Sequence, residues 1–409
     1  LGHIVCAAYF ANHWLPPAVD DPEVIKTLSG YGISYLFGTE IIYILAGKFA
    51  VLLSGLLHES HLGLRFFNVF LFSLLMTIAI RRSKNSLLFV LGLVATPQIW
   101  YVFSYFSGDA FPLFLALLLA VQVMYGDSTG NRYLDSPGLR DRIYGGVLLG
   151  ILIGFMLLSK KNYYVYLTFI ALILVLRLFF ESRPGAAHQW SLQMKKGILI
   201  AGVALSIYLP YIVYDQYING FQKQEKIEHI AEQKALYAFK GSTVKNNPSA
   251  SYPGLALKNK GVTLRKLFLE NDEWRQMSFK SFFGVYGYMN LYSKNYHFMM
   301  TDMLLAGGFL FIIFYLAYHS LSSKDLLVLL TVLLFSSLAI GQSVYFSWIA
   351  DYEPQGRYLF PIIPMVLVGL SRLPEMLQKR FIPCYCLSFF LLNLLSFVFT
   401  ALRYLPKLD

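Results

Sequence analysis

Charge is scarce in this 409-residue chain. Only 14% of the residues are Asp, Glu, Lys or Arg, against about 25% in soluble domains, while 56% are hydrophobic and the mean hydropathy is +0.54. That balance excludes a disordered chain, a collagen-like repeat and a soluble globular domain. Cysteine is scarce as well. Cys6, Cys384 and Cys386 all sit inside apolar runs, which excludes a disulfide scaffold, and Cys384 and Cys386 lack zinc-ligand spacing. There is no internal repeat and no low-complexity tract. Walker A, GxGxxG and GxSxG motifs are also missing, so nucleotide-driven transport and serine hydrolysis have no local support.

What the chain has is apolar runs of membrane-crossing length. About 20 apolar residues span a bilayer as a helix, and spans are expected near 1–15, 64–80, 87–106, 110–125, 144–160, 163–180, 197–214, 302–319, 325–346, 358–371 and 382–402. Residues 1–15 are too short to cross alone and read as the outer part of a first helix; a cleaved signal peptide is the rival. The stretch 41–57 is apolar but carries Glu40 at its edge, Lys48 and two glycines, and reads as an interfacial or re-entrant helix. The fold expected is a single all-α integral membrane domain over 1–409, a polytopic bundle of about eleven spans with outer loops and helices.

Lys and Arg in short loops set orientation. Alternate loops hold Arg81, Arg82 and Lys84; Arg132, Arg140 and Arg142; Arg183, Lys195 and Lys196; Lys324; Arg372, Lys379 and Arg380, thirteen cations that mark the cytoplasmic side. The N-terminus then lies inside and Arg403 to Asp409 outside. Two longer segments fall outside: 16–63, and the basic loop 215–301 with twelve Lys/Arg against seven Asp/Glu. Within the second, 225–240 reads as an amphipathic helix and 241–261 as an irregular loop. The net charge of +11 belongs to loops beside anionic lipid and does not indicate nucleic acid.

Charges at a span edge are costly and mark function. Asp20-Asp21-Pro22-Glu23 follows the first span, with a solvated loop or a helix cap as the plain reading. Asp109, in Ser107-Gly108-Asp109-Ala110, is another cap candidate on the same outer face. Acids gathered there can supply a general base or hold a metal ion. Lys160 and Lys161 sit in a tight outer turn, against the charge bias, and so does Arg357 in Asp351-Tyr352-Glu353-Pro354-Gln355-Gly356-Arg357-Tyr358. Such cations can neutralise a phosphate; an acid-paired Arg is the alternative. His13, His58, His61 and His297 are outer-face histidines without HExxH spacing and receive no metal. Tyr163, Tyr164 and Tyr166 read as lipid-facing belt residues.

With those residues in place, the chain resembles a family of uncharacterised bacterial polytopic membrane proteins grouped with the GT-C glycosyltransferases. Asp20-Asp21-Pro22 is similar to its Asp-Glu-Pro, and Leu64-Arg65-Phe66-Phe67-Asn68 to its Leu-Arg-x-x-Asn. Ser107-Gly108-Asp109-Ala110 resembles its Asn-Asp-Ala, and Leu158-Ser159-Lys160 its Leu-Thr/Ser-Lys. Ser281-Phe282-Phe283-Gly284 and Gln355-Gly356-Arg357-Tyr358-Leu359-Phe360-Pro361 resemble two late signatures, the last the most specific. Val24 stands where that family usually has His, and the long basic loop has no counterpart.

The resemblance implies a sugar transferase of the bacterial cytoplasmic membrane, active at its outer face. It would use a polyprenyl-phosphate-linked donor and a cell-envelope glycan or lipid-linked acceptor, in a single inverting displacement. Asp20 is the expected base and Asp21 the second choice. Asp109 and Glu23 would orient the acceptor or a divalent ion such as Mg or Mn. Lys160, Lys161 and Arg357 would bind the donor phosphate, with Glu353, Gln355 and Tyr358 in support. A flippase of lipid-linked saccharides and a non-catalytic envelope-assembly subunit are the rivals.

Overall fold

A computed structural model describes residues 2–57, 59–83, 86–179, 187–236, 239, 254–270, 273–318 and 322–405. Lys84, Arg183, His58, the 241–253 part of the basic loop and the last residues of the expected outer tail, 406–409, lie outside them.

The protein is an all-α membrane protein. In hydrocarbon every backbone N–H and C=O must be satisfied within its own segment, which leaves helices as the outcome for long apolar runs. Helix α1 (Gly2–Asn12) is followed by the short α2 (Pro22–Ile25), α3 (Ile42–Leu53) and α4 (Ser60–Ser83). Next come α5 (Leu88–Val94), α6 (Pro97–Ser104), α7 (Ala110–Met124), α8 (Thr129–Leu134), α9 (Ile143–Leu157) and α10 (Tyr164–Phe179). The chain ends with α11 (Ala187–Ile218), α12 (Lys223–Lys234), α13 (Glu273–Gly284), α14 (Asn295–Tyr318), α15 (Ser323–Ile349), α16 (Ile362–Leu370) and α17 (Glu375–Ser396). A two-residue hairpin, Val285–Tyr286 with Leu291–Tyr292, joins α13 to α14.

Among the described residues, six helices are long and apolar enough to cross a membrane: His61–Ser83, Lys161–Phe179, Trp190–Ile218, Asn295–Leu316, Ser323–Ile349 and Gln378–Leu402. Four more, at Ile42–Leu53, Ala110–Met124, Ile143–Leu157 and Gly356–Leu370, are apolar but shorter. The expected spans are therefore not all continuous helices of crossing length. The clearest departure is 87–106, which breaks into α5 and α6 at Thr96-Pro97. A residue before proline is driven out of the α region, and Thr96 is extended, its hydroxyl capping Gln98 N at 3.2 Å. The carbonyls freed at the break are taken by the Trp100 indole on Leu93 (2.8 Å) and the Asn393 amide on Val94 (2.7 Å).

Helix α7 forms the centre. It is apolar all round and buried along most of its length, as a core helix should be; α11 and α14 lie at the periphery, mostly exposed. Tyr163 and Tyr166 correct the belt assignment. Both are fully buried, and the Tyr166 hydroxyl donates to Ala116 O at 2.7 Å, while Tyr164 reaches back to Leu157 O at 2.9 Å. Within 215–301, α11 and α14 each take several residues expected as loop, and the amphipathic helix is α12, ending at Lys234 rather than 240.

The basic loops gather at one end of the bundle, tied by Arg82 to Asp127, Arg177 to Asp135 (3.0 Å) and Lys196 to Leu134 O and Ser136 O (2.8 and 2.7 Å). The other end carries the turns before α7, α10 and α16. Beside them α1 and α3 run side by side in the same direction: His3 meets Tyr43, Ala7 backs onto Gly47, and Ala11 O accepts from Lys48 Nζ. The chain from 13 to 41 therefore returns along α1 before α3 begins.

Candidate functional site

The site sits where α7 begins. Asp109 occupies the N-cap position of α7, yet its side chain makes no capping bond. Its carboxylate, 1% exposed, receives Lys160 Nζ on Oδ1 at 2.7 Å and faces Arg357 Nη1 from Oδ2 at 3.3 Å. Burial pushes the Asp109 pKa up, but Lys160 and Arg357 outweigh it and hold the group at about 2. The plain cap reading of Asp109 is thus overturned, and three residues far apart in sequence meet as one charged cluster.

Each cation comes from a turn held by its neighbours. Lys160 is extended between α9 and the 3-10 turn Lys161–Tyr163, and Leu158 O there accepts from Ile41 N at 2.9 Å. Arg357 stands in the 3-10 turn Gly356–Leu359 that leads into α16. That turn leans on the segment 281–284: Gly356 N donates to Ser281 Oγ at 2.6 Å, and the Phe282 and Phe360 rings lie 5.7 Å apart. The Asn68 amide donates to Tyr105 O at 2.6 Å, four residues before Asp109. The segments that carry the family resemblance from 64 onward thus pack around this cluster.

Glu40 completes it. Gly108 allows this, because a Cβ there would lie 2.7 Å from Glu40 Oε2 and 3.1 Å from both Lys160 Cε and the Tyr43 hydroxyl. Glu40 Oε2 is buried with no hydrogen-bond partner among the described residues. Burial raises the Glu40 pKa, and Lys160 opposes the rise. On the next layer His3 Nδ1 and the Tyr43 hydroxyl are 2.7 Å apart, and the His3 ring packs 4.2 Å from Tyr35. Sequence reasoning used Glu40 only to keep 41–57 from crossing, and passed over His3, Tyr35 and Tyr43. The signal available was a lone carboxylate at the edge of an apolar run.

The other expected residues lie elsewhere. Asp20 pairs with Lys226 at 2.9 Å and is 57% exposed; that hydrogen bond lowers its pKa. Asp21 accepts Glu23 N at 2.8 Å, so it is the cap of α2, and Glu23 lies 3.6 Å from His13. His3 and His13 mark opposite ends of α1, about 15 Å apart for ten helical residues, which separates Glu23 from the buried cluster by roughly that length. Asp21 and His13 instead line an open cleft of about 530 Å³ with Tyr9, Trp14 and Tyr214. Lys161 is exposed. Glu353 takes the Tyr358 hydroxyl, and Gln355 N donates to Glu353 O at 2.8 Å, so Arg357 is acid-paired, though with Asp109 rather than Glu353. His297 is buried, its Nε2 2.8 Å from Phe283 O. No group of three or more His, Cys, Asp or Glu among the described residues is placed to hold a metal ion, and the Asp109–Glu40 pair already faces two cations.

Fold and site define an integral membrane protein with an ionised cluster enclosed at one end of its helices. The chain belongs to the family described as "Predicted membrane protein (DUF2142)", whose model matches residues 39–366. That match includes Glu40, Asp109, Lys160 and Arg357 and begins after Asp20, Asp21 and Glu23. No curated protein and no solved structure matches the chain.

Proposed function

We propose that the protein is a membrane glycosyltransferase that moves a sugar from a polyprenyl-phosphate donor to a cell-envelope glycan or lipid-linked acceptor at the outer face of the bacterial cytoplasmic membrane. The observation that carries this reading is the Lys160–Asp109–Arg357 cluster. Two cations share one buried carboxylate, and Arg357 Nε has no partner among the described residues. Donor capacity is left for one further anion, and a guanidinium beside an ammonium suits a phosphate.

In the transfer, the acceptor oxygen bonds to the anomeric carbon as the bond from that carbon to the phosphate oxygen breaks. The oxygen leaves on the lipid phosphate, where Lys160 and Arg357 stabilise the growing negative charge. Asp109, enclosed and ionised, fixes the two cations as a positioning residue. Lys161 stands at the exposed rim; Glu353, Gln355 and Tyr358 shape the turn that presents Arg357. Asp21 lines the open cleft away from the cluster, and Asp20 and Glu23 are paired with Lys226 and His13. A flippase is the weaker reading. Broken helices serve transporters by lining a site with free backbone groups, but the Leu93 and Val94 carbonyls at the Thr96-Pro97 break are already taken by side chains.

The test is an assay of the purified protein in lipid nanodiscs with a panel of labelled decaprenyl-phosphate sugars and envelope extracts as acceptors. A glycosyltransferase releases free lipid phosphate and labels a saccharide, and Arg357→Ala abolishes both. Movement of intact donor across vesicles, without release, would replace this reading with the flippase.

A further inference from the structure

The charged cluster holds one group that the phosphate reading leaves idle. Glu40 buries a carboxyl oxygen without a partner, beside the ammonium that would bind the phosphate. Glu40 is faced by Lys160 and Asp109 from the turns opening α10 and α7, and by the Tyr43 hydroxyl. Cys6 of α1 and Tyr211 of α11 also feel its charge. His3 and Arg357 stand one contact further out, on Tyr43 and Asp109.

Counting charges shows what Glu40 is suited to do. Lys160 and Arg357 carry two positive charges and Asp109 one negative, so with an ionised Glu40 and a phosphodiester donor, which carries one negative charge, the cluster holds one net negative charge; if Glu40 takes up the released proton, the site holds no more than that after transfer. Transfer turns that diester into a monoester, which carries about 1.5 to 2 negative charges near pH 7, and it frees one proton from the acceptor hydroxyl. An ionised Glu40 beside a monoester would leave three anionic groups, Asp109, Glu40 and the phosphate, around one ammonium.

We infer that Glu40 accepts the proton of the acceptor hydroxyl, and that the product lipid phosphate is therefore held at this site together with that proton. The inference rests on the donor-site reading above. Atoms and charge balance. The acceptor O–H proton goes to the Glu40 carboxylate, the acceptor oxygen joins the sugar, and the C–O electron pair leaves on the phosphate. Proton and lipid phosphate then depart together. The geometry that supports this is the enclosed Oε2 between Gly108, the Tyr43 hydroxyl and Lys160; the raised pKa agrees, burial outweighing Lys160 and the Tyr43 hydrogen bond, since a base is most effective when its pKa lies near the working pH.

The experiment measures binding of decaprenyl phosphate and of its methyl diester to the whole protein in nanodiscs, between pH 5 and 9. The monoester's second ionisation is common to wild type and variant, so their difference isolates Glu40. In wild type, monoester affinity should fall with rising pH by up to tenfold per unit more than in Glu40→Gln, as one linked proton requires. Diester affinity in Glu40→Gln should not fall below wild type, and its sugar transfer should drop by about 10²–10⁴-fold, the usual contribution of a general base. Gly108→Ala, whose methyl displaces the Glu40 carboxyl, should lose the same pH coupling. Equal pH slopes in wild type and Glu40→Gln, or near-normal transfer in Glu40→Gln, overturn the inference while leaving the donor site standing. If wild type binds neither ester, the donor site itself falls.

Discussion

Gly356 rests on the backbone of Phe282 so closely that a side chain at 356 would overlap Phe282 N, Cα and Cβ. The Gly356 amide meets Ser281 Oγ at 2.6 Å, and the same hydroxyl reaches Pro354 O at 3.2 Å. One residue later Arg357 enters the cluster. The glycine thus sets how deeply the arginine turn sits against α13, and through it where the guanidinium meets Asp109.

Gly356→Ala tests that packing. The methyl has no space, since it meets backbone rather than a flexible side-chain end, and overpacking of this kind costs about 1–3 kcal/mol. A lowered thermal midpoint in detergent is expected, together with weaker phosphate binding as Arg357 is pushed aside. An unchanged midpoint and unchanged binding would contradict the close approach.

Asp109→Asn tests the cluster's charge. Removing one partner of a buried ion pair typically costs about 3–5 kcal/mol, because the remaining charge is left unpaired. Here Lys160 and Arg357 would lose the carboxylate that both contact. The Asp109 pKa is depressed, to about 2, so its contribution is present above the unfolded value near 4 and is lost as pH falls through 2. That shift corresponds to about 2 kcal/mol. Wild type should therefore show a loss of thermal stability below pH 4 that Asp109→Asn lacks. A parallel acid profile in both proteins would place the stabilisation elsewhere.

Asp20→Asn and Glu40→Gln separate two positions for the catalytic base. Asp20 is exposed, and its hydrogen bond to Lys226 lowers its proton affinity, whereas Glu40 is enclosed and raised. Transfer should fall less than tenfold in Asp20→Asn and about 10²-fold or more in Glu40→Gln. Stability should barely change in Asp20→Asn, because exposed ion pairs contribute about 0–1 kcal/mol. The reverse order of activities would return the base to the first outer loop's acidic pair.

The parts of this site that were legible in the sequence were those that broke a rule. Lys160 and Arg357 stood out because they opposed the charge bias of the short loops, and both joined the cluster. Asp109 was reached through shared topology, although its local pattern suggested a cap and its side chain turned away from the helix. Asp20 and Asp21 showed a denser acidic pattern, but an acidic run states only charge, and the fold spends it on Lys226 and the α2 cap. Glu40 broke a rule too, as a lone acid at an apolar edge, yet nothing local says that a chain returning along α1 will lay it beside Lys160. Thr96-Pro97 carried a break signal that summed hydropathy hid, since a window average is blind to one missing N–H. Burial of Tyr163 and Tyr166 depends on which face of α10 meets α7 and α15, which periodicity does not fix in a helix apolar on all sides.

Arg357→Lys asks whether charge or shape matters at the donor site. The substitution keeps one positive charge, so the electrostatic balance with Asp109 survives in sign. It loses the planar fork, and with it the ability to meet a carboxylate on one edge while offering Nε and a further N–H to a phosphate. A lysine ammonium is a compact point charge. In this turn it can reach Asp109 or the ligand but cannot bridge them as a rigid plane. Lipid-phosphate affinity should therefore fall in Arg357→Lys and fall further in Arg357→Ala and in the Lys160→Ala/Lys161→Ala double variant. A charge-assisted contact contributes about 1.5–3 kcal/mol, which is roughly 10- to 150-fold in the dissociation constant. Thermal stability distinguishes the roles: Arg357→Lys should unfold near the wild-type temperature, because Asp109 keeps a cationic partner in Lys160 at 2.7 Å. A large stability loss with unaltered lipid affinity would make Arg357 a brace for the α16 turn, and the phosphate would have to be sought away from Asp109.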